Sequence, residues 1–346
     1  MSVRAEQDAS AVTAQVAGRW AGLDRLLPVP PALAGGELLT VPGAVGRCEH
    51  WAGEPGALDL AWGAARRFRL DPQVAGPDVR GALDALLAQW REHLAGAPGT
   101  GEDDTAAVVA WPSRDITGHR VLLDHGLFPL AIIAARPAGR DGRAVPPDPG
   151  LRIRRAGPAD LDSVVALGME TVRYDAHFGT VIERPDTAAA LRREAAARLA
   201  GPVSWTWLAE RDGSPVGLLY AQGPGQADWI APLARPAPWT WLAERDGQVV
   251  GSLYAQSPDQ AGWIAPLVRP APVAYLELMA VLPGARGAGV GAALAAVYHA
   301  AADAAGVAVT LLHYEQMNPL APPFWSQQGY RPLWADWEAR PALALR

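Results

Sequence analysis

Between Leu282 and Ala292 the chain reads Leu-Pro-Gly-Ala-Arg-Gly-Ala-Gly-Val-Gly-Ala. This sets Arg286, Gly287, Ala288, Gly289, Val290 and Gly291 between a strand-like run and a helix-like one. Glycines at such a junction let successive backbone N–H groups turn inward with no Cβ in the way. The helix that follows adds its free donors and the positive end of its dipole. The chemistry this suits is the holding of a pyrophosphate, to which Arg286 adds a charge-assisted contact. A Walker-type loop is excluded, because the sequence contains no lysine and all 30 basic residues are arginines. A Schiff-base lysine is excluded on the same ground. A dinucleotide fingerprint fits formally at Gly287, Gly289 and Ala292. However, Pro283 to Arg286 separate the strand from the first glycine, and Val307 and Ala308 stand where an acid is required.

Glu277 is the second chemical feature. It is a carboxylate in the otherwise apolar run Tyr275-Leu-Glu-Leu-Met-Ala-Val281, four residues before Val281 and on its face by the period of two. Such a group faces water, a sheet edge or a site. Cys48 is the one cysteine, which leaves no internal disulfide and reads as a buried structural thiol. No His, Cys and carboxylate grouping has metal-ligand spacing, so no metal is expected.

The elements that must position these residues fill 346 positions, enough for two domains. Half of the residues are apolar, so each half can bury a core. A net charge of −6 without a basic stripe argues against nucleic acid as partner. No apolar run reaches membrane-spanning length, so no membrane partner is expected. Met1 to Gly18 lacks an apolar signal core, which makes a cytoplasmic location the expectation. The Pro/Gly-rich stretch 137–150 reads as a linker between residues 1–136 and 151–346. Residues 205–238 and 239–272 are a tandem repeat of period 34, matching at about 27 positions. Each copy reads as a hairpin turning at Asp-Gly, followed by Trp-Ile-Ala-Pro. Trp205, Trp207, Trp239 and Trp241 alternate along these strands as core or interface residues. The second hairpin is contiguous with the strand at Ala274 and is expected beside it.

The loop Arg-x-x-Gly-x-Gly, met here as Arg286, Gly289 and Gly291, resembles that of the GNAT (GCN5-related N-acetyltransferase) superfamily. Val281 and Pro283 precede it at the usual spacing. Downstream, Asn318-Pro-Leu-Ala-Pro-Pro-Phe-Trp-Ser-Gln-Gln-Gly-Tyr330 is similar to the second signature of that family. The resemblance covers roughly residues 151–346. It implies an α/β (α+β) fold with a mixed, mostly antiparallel central sheet flanked by helices. It also implies acetyl-CoA as acetyl donor, held by Met279, Ala280 and Val281 along the pantetheine, by the loop 286–291 at the pyrophosphate, and by Asn318. Asn318 before Pro319 is equally a turn and cap residue.

The implied activity is direct transfer of an acetyl group to the amine of a small molecule or peptide, by a monomer or homodimer. Glu277 is then a base or amine binder, with His313 and Glu315 behind it. Trp325 stands where the family often has a tyrosine acid, so Tyr314 and Tyr330 are the substitutes, each also readable as packing. The connection Arg173 to Arg184 would shape the acceptor pocket. The alternative is a non-catalytic acyl-CoA-binding or interaction module.

Residues 1–136 echo the second half. Asp115 to Gly126 spans the same interval as Asn318 to Gly329, and Pro-Leu follows both glycines after two intervening residues. This implies a degenerate copy of the same fold. Its loop Ala75-Gly-Pro-Asp-Val-Arg-Gly81 lacks the Gly-x-Gly spacing, so no cofactor is expected there.

Overall fold

The computed structural model describes residues 3–33, 35–140, 151–152, 158–199, 207–211, 214–219, 240–245, 248–256, 258 and 261–346. Most of the expected linker, the tail of the first repeat copy, Trp205 and Trp239 lie outside these residues.

The first half opens with helix α1 (Val3–Leu23) and the strands β1 (Glu37–Val41), β2 (Ala44–Ala52) and β3 (Arg66–Val74). Helix α2 (Val79–Gly96) leads to β4 (Thr105–Pro112), and α3 (Ile116–Asp124) leads to β5 (Phe128–Pro137). The second half begins with the short β6 (Leu151–Arg152) and the helices α4 (Leu161–Asp175) and α5 (Thr187–Leu199). Two hairpins follow, β7 (Trp207–Arg211) with β8 (Ser214–Leu219), and β9 (Thr240–Arg245) with β10 (Gln248–Gln256). The chain closes with β11 (Val273–Val281), α6 (Val290–Ala304), β12 (Val309–Glu315), α7 (Ala321–Gln327) and β13 (Arg331–Ala339). Among the described residues no helix is long and apolar enough to cross a membrane.

The strands form one mixed, mostly antiparallel sheet in the order β1-β2-β3-β4-β13-β5-β12-β11-β10. On the far side of β10 lies β9, its hairpin partner, with β6 beyond it. The second hairpin thus sits beside β11, held there by antiparallel pairing of β10 with β11. The first hairpin meets β10 at a single register position, Gln248 opposite Arg211. Among the described residues only β3·β4 and β11·β12 pair in parallel.

The last strands of the two halves are exchanged. Strand β13 lies between β4 and β5, while β5 pairs with β12. The sheet therefore continues unbroken past the sequence boundary near 137–150.

Alternation along the strands divides the core. On β11, Ala274 and Leu276 join Leu294, Ala295 and Tyr298 of α6, which recur at helical spacing. Val273 and Tyr275 point the other way, into a cluster with Val16 and Trp20 of α1 and Trp334 of β13. There the Trp20 and Trp334 rings meet edge to face with centroids 5.1 Å apart.

Asp24, at the end of α1, ties this cluster to β13. Its carboxylate is 2% exposed, lies 3.4 Å from Arg114, and accepts hydrogen bonds from the Arg331 guanidinium and from the Leu26 N–H at 2.9 Å. Burial by itself raises its pKa, but the Arg331 and Leu26 hydrogen bonds and the two cationic charges together hold it below the usual value. Asp24→Ala is expected to destabilise the fold by about 3–5 kcal/mol at neutral pH, read by urea unfolding, because it strands a largely buried guanidinium. A depressed carboxylate stabilises above its unfolded pKa. The difference between the two proteins should therefore fade as pH falls below about 4.

Candidate functional site

Strands β11 and β12 pair only from Val273 opposite Val309 to Leu276 opposite Leu312. Beyond that point β11 stays with β10, as far as Val281 opposite Gly251, and β12 stays with β5, as far as Glu315 opposite Ala131. The two strands splay, and the edge of β11 from Glu277 onward faces a gap. The β10 register passes from Leu278 to Leu276, which leaves Glu277 as the extra residue of a bulge. A bulge re-aims the side chain it carries and strengthens the local twist.

The gap opens into a cleft of about 1290 Å³. Met279, Ala280 and Val281 line it, as do all of Arg286 to Gly291. After β11 a turn forms, with the Ala285 N–H donating to the Leu282 carbonyl at 2.9 Å. Gly287 and Gly289 then take φ values of 76° and 83°, a left-handed conformation that carries no steric cost without a Cβ. Gly289 is the N-cap of α6 and offers the helix no side-chain acceptor. The first-turn N–H groups of α6 have no acceptor within the helix. Arg286 is held beside them. Its Nε donates to the Val281 carbonyl at 3.0 Å, and its guanidinium lies 4.6 Å from the centroid of the Tyr174 ring. This arrangement can hold a diphosphate.

The first half has a counterpart. Strands β3 and β4 also stop pairing, at Leu70 opposite Val109. There, however, Asp78 caps α2, its carboxylate accepting the Gly81 N–H at 2.9 Å. Gln73, 2% exposed, is tied to Thr13 of α1 at 2.6 Å and to the Pro31 carbonyl at 2.7 Å.

The site residues expected from sequence are partly brought together. Glu277 is exposed on the cleft wall. Tyr314 is half-buried in the same cleft, and burial raises its pKa, so it stays protonated at neutral pH. His313 also lines the cleft, but burial and then the Arg69 charge lower its pKa to about 4. Its Nδ1 lies 2.9 Å from the Tyr275 hydroxyl. Tyr275 is held protonated by burial and by the Glu277 charge, so it is the donor in this bond. His313 is therefore a neutral, occupied acceptor rather than a base.

Two other expected site residues are engaged within the fold. Tyr330 does not line the cleft. It is 4% exposed, accepts the Thr310 hydroxyl at 3.0 Å and packs edge to face on Trp325, so its role is packing. Asn318 does reach the cleft, but its side chain serves the turn, with Oδ1 accepting the Leu320 N–H at 2.9 Å and Nδ2 donating to Asp175 at 3.1 Å.

The sequence reading missed the floor of the cleft, which the strand exchange builds from both halves. Arg67 and Arg69 of β3, Asp336 and Glu338 of β13, and the exposed Trp263 all line it. The Trp263 indole lies parallel to the His313 ring, within 10°. The only sequence signal was charge alternating with apolar residues in Arg66-Arg-Phe-Arg-Leu and Trp334-Ala-Asp-Trp-Glu, strands that read as ordinary half-buried ones. Among the described residues no group of three His, Cys or carboxylates could hold a metal ion.

With this geometry in view, the comparisons with known proteins are informative. Residues 220–330 match the family model for the acetyltransferase (GNAT) family. Residues 220–330 thus belong to a GNAT acetyltransferase domain. Among solved structures, it is similar to a GCN5-related N-acetyltransferase from Sphaerobacter thermophilus, with 13% identity and a TM-score of 0.49 over 87% of this chain and 77% of that one. A GCN5-related N-acetyltransferase from Kribbella flavida is 14% identical, with a TM-score of 0.42 over 95% and 94% of the two chains. A tandem GNAT protein from the clavulanic acid biosynthesis pathway is 14% identical, with a TM-score of 0.35 over 86% and 79%. Among curated proteins no sequence matches the chain. The match of residues 220–330 supports acyl transfer in general terms.

Acidic side chains in the floor carry a strong electrostatic signature. Glu315 is 9% exposed, and burial, reinforced by Asp175 and Glu338 and opposed by Thr180 hydrogen bonds, raises its pKa to about 8. Burial likewise raises Asp175 to about 6 against Asn318 and Arg286. A carboxyl group raised on folding makes the native state bind more protons than the unfolded one, so stability falls as pH rises through that interval. For Glu315 this runs from about pH 4.5 to about pH 8. Glu315→Gln should flatten this decline and stabilise the fold at pH 8 by on the order of a few kcal/mol, read by denaturant unfolding across pH.

Proposed function

We propose that the protein is an acetyl-CoA-dependent N-acetyltransferase that moves an acetyl group directly to the amine of a small molecule or peptide. The observation that carries this reading is the divergence of β11 and β12 onto a left-handed glycine loop at a helix N-terminus. An extended thioester arm fits the gap, and a diphosphate fits the loop.

The donor supplies an acetyl group on sulfur, whose thiol pKa near 8.5 makes it a tolerable leaving group. Loop N–H groups and Arg286 hold the diphosphate. The free edge of β11 from Leu278 to Val281 presents backbone groups that pair with the amides of the arm, like an added strand. Glu277, aimed by its bulge, takes the proton of the acceptor ammonium, directly or through one water. The amine nitrogen forms its bond to the acetyl carbon as the carbon–sulfur bond breaks. Tyr314, the protonated hydroxyl of the cleft, delivers a proton to the departing sulfur and regains one through water from the acylated nitrogen, which leaves a neutral amide. Trp325, 6% exposed and packed on Phe324 and Tyr330, takes no part in proton transfer.

The same reading makes residues 1–136 a degenerate second copy, joined to residues 151–346 by the linker. Its support is the matching arrest of β3·β4 pairing, the positive φ of Gly126 and Gly329 after the matching helices, and the exchanged last strands. The Asp78 carboxylate at the N-terminus of α2 repels a second diphosphate there.

Arg286→Glu and Gly289→Asp should each weaken acetyl-CoA binding by at least about 10²-fold in calorimetry, since a charge-assisted contact of about 1.5–3 kcal/mol becomes repulsion. Unchanged affinity in both would remove the loop assignment. With an amine panel, the intact protein should release free thiol only when an acceptor is present. Glu277→Gln should lower kcat by about 10²–10⁴-fold with acetyl-CoA affinity retained. Acetyl-CoA binding with no acceptor-dependent thiol release would favour a non-catalytic binding module.

A further inference from the structure

The cleft extends from the bulge at Glu277 onto the sheet face shared by β12, β5, β13 and β4. Register sets Glu315 opposite Ala131, Ala131 opposite Asp336, and Asp336 opposite Ala110. With strands about 4.8 Å apart, the Glu315 and Asp336 backbones stand about 10 Å apart, with only an alanine methyl between them. Both side chains line the cleft.

Each also presents an oxygen with no donor. Glu315 is 9% exposed, and its Oε2 accepts no hydrogen bond. The Oδ1 of Asp336 is equally unpartnered. The Arg69 and Arg67 charges act on Asp336 through space, but the hydrogen bonds of the neighbouring charged groups go elsewhere. Glu338 is paired with Arg340 at 2.6 Å, and Arg69 donates to Asp71 at 2.7 Å. Arg67 lies over Trp51 and donates to the carbonyls of Ala64 and Asp59. Six acidic side chains line the cleft against three guanidinium groups, one of which is Arg286 at the loop. Buried acceptor oxygens of this kind are costly unless a donor meets them. An ammonium, with three donors and a positive charge, satisfies such a pair better than any neutral group.

We propose that this floor recognises the distal ammonium of a diamine or longer linear polyamine, the other amine of which is acetylated at Glu277. This rests on the acetyl-transfer reading above. Along strand β12, Glu315 lies beyond the point where β11 and β12 part. The distance from Glu277 is therefore at least one strand spacing plus two residues, about 8 Å, which matches an extended chain rather than a compact amine. His313, with Trp263 stacked on it, supplies an aromatic wall between the two ends.

The test uses the full chain with acetyl-CoA and two series of acceptors of matched length, n-alkylamines and α,ω-diamines of three to eight carbons, with spermidine added. Thiol release should show kcat/KM for the longer diamines exceeding that for matched monoamines by about 10–150-fold, the worth of hydrogen bonds to a charged group. Glu315→Gln and Asp336→Asn should each shrink that ratio through the diamine KM, with acetyl-CoA affinity retained. Equal kcat/KM for the two series would overturn the proposal while leaving acetyl transfer standing. If no acceptor releases thiol, acetyl transfer itself fails, and calorimetry with spermidine decides the floor separately. Binding lost in Glu315→Gln supports it, and the absence of binding to the intact protein overturns it.

Discussion

Two parallel strands that stop pairing partway along their length are the constraint on which this molecule depends. A β-strand edge presents obligatory donors and acceptors, and each must find a partner. Beyond Leu276 and Leu312 the two strands are drawn to opposite sides, β11 by the second hairpin and β12 by β5 of the first half. Their inner edges separate in consequence, and the space between them is wide enough for an extended ligand. The glycine loop matters only because it lies at the end of this gap, and Glu277 only because the bulge turns it toward the gap.

The exchange of last strands explains both the size of the cleft and its chemistry. If β13 had stayed beside β12, the cleft floor would consist of second-half residues alone. Because β13 lies between β4 and β5, Asp336 and Glu338 instead face Arg67 and Arg69 of the first half across a common surface. The first half thus shapes one end of a cleft whose other end is the glycine loop of the second half. Its own splayed pair is closed by a different device. Gln73 is bound to α1 and to the Pro31 carbonyl, and Asp78 occupies the end of α2 that would otherwise attract an anion.

The site is chemically graded from end to end. At the loop, backbone donors and one guanidinium favour negative charge. At the floor, buried carboxylates raise their own proton affinity through burial and mutual repulsion. Between them, a neutral His313 and the Trp263 indole form an uncharged stretch. Such a gradient suits an anionic group at the loop and a cationic one at the floor.

The sequence by itself determined the loop, the helix after it, the strand carrying Glu277 and the alternation of elements on both sides, because these follow from local spacing. Glycines at a strand–helix junction and apolar residues with a period of two or 3.6 mean the same thing wherever they stand in a fold. Tyr330 and Asn318 show where that local meaning ends. Both stand at motif positions, yet hydrogen-bond partners distant along the chain, Thr310 and Asp175, decide what their polar atoms do. The floor was invisible for a stronger reason. Arg69, Asp336 and Glu315 become neighbours only because a strand from one half enters the sheet of the other, and strand order depends on long-range pairing that leaves no periodic trace in the chain. Tertiary structure alone decided which charges face one another, and with them the character of the cleft floor.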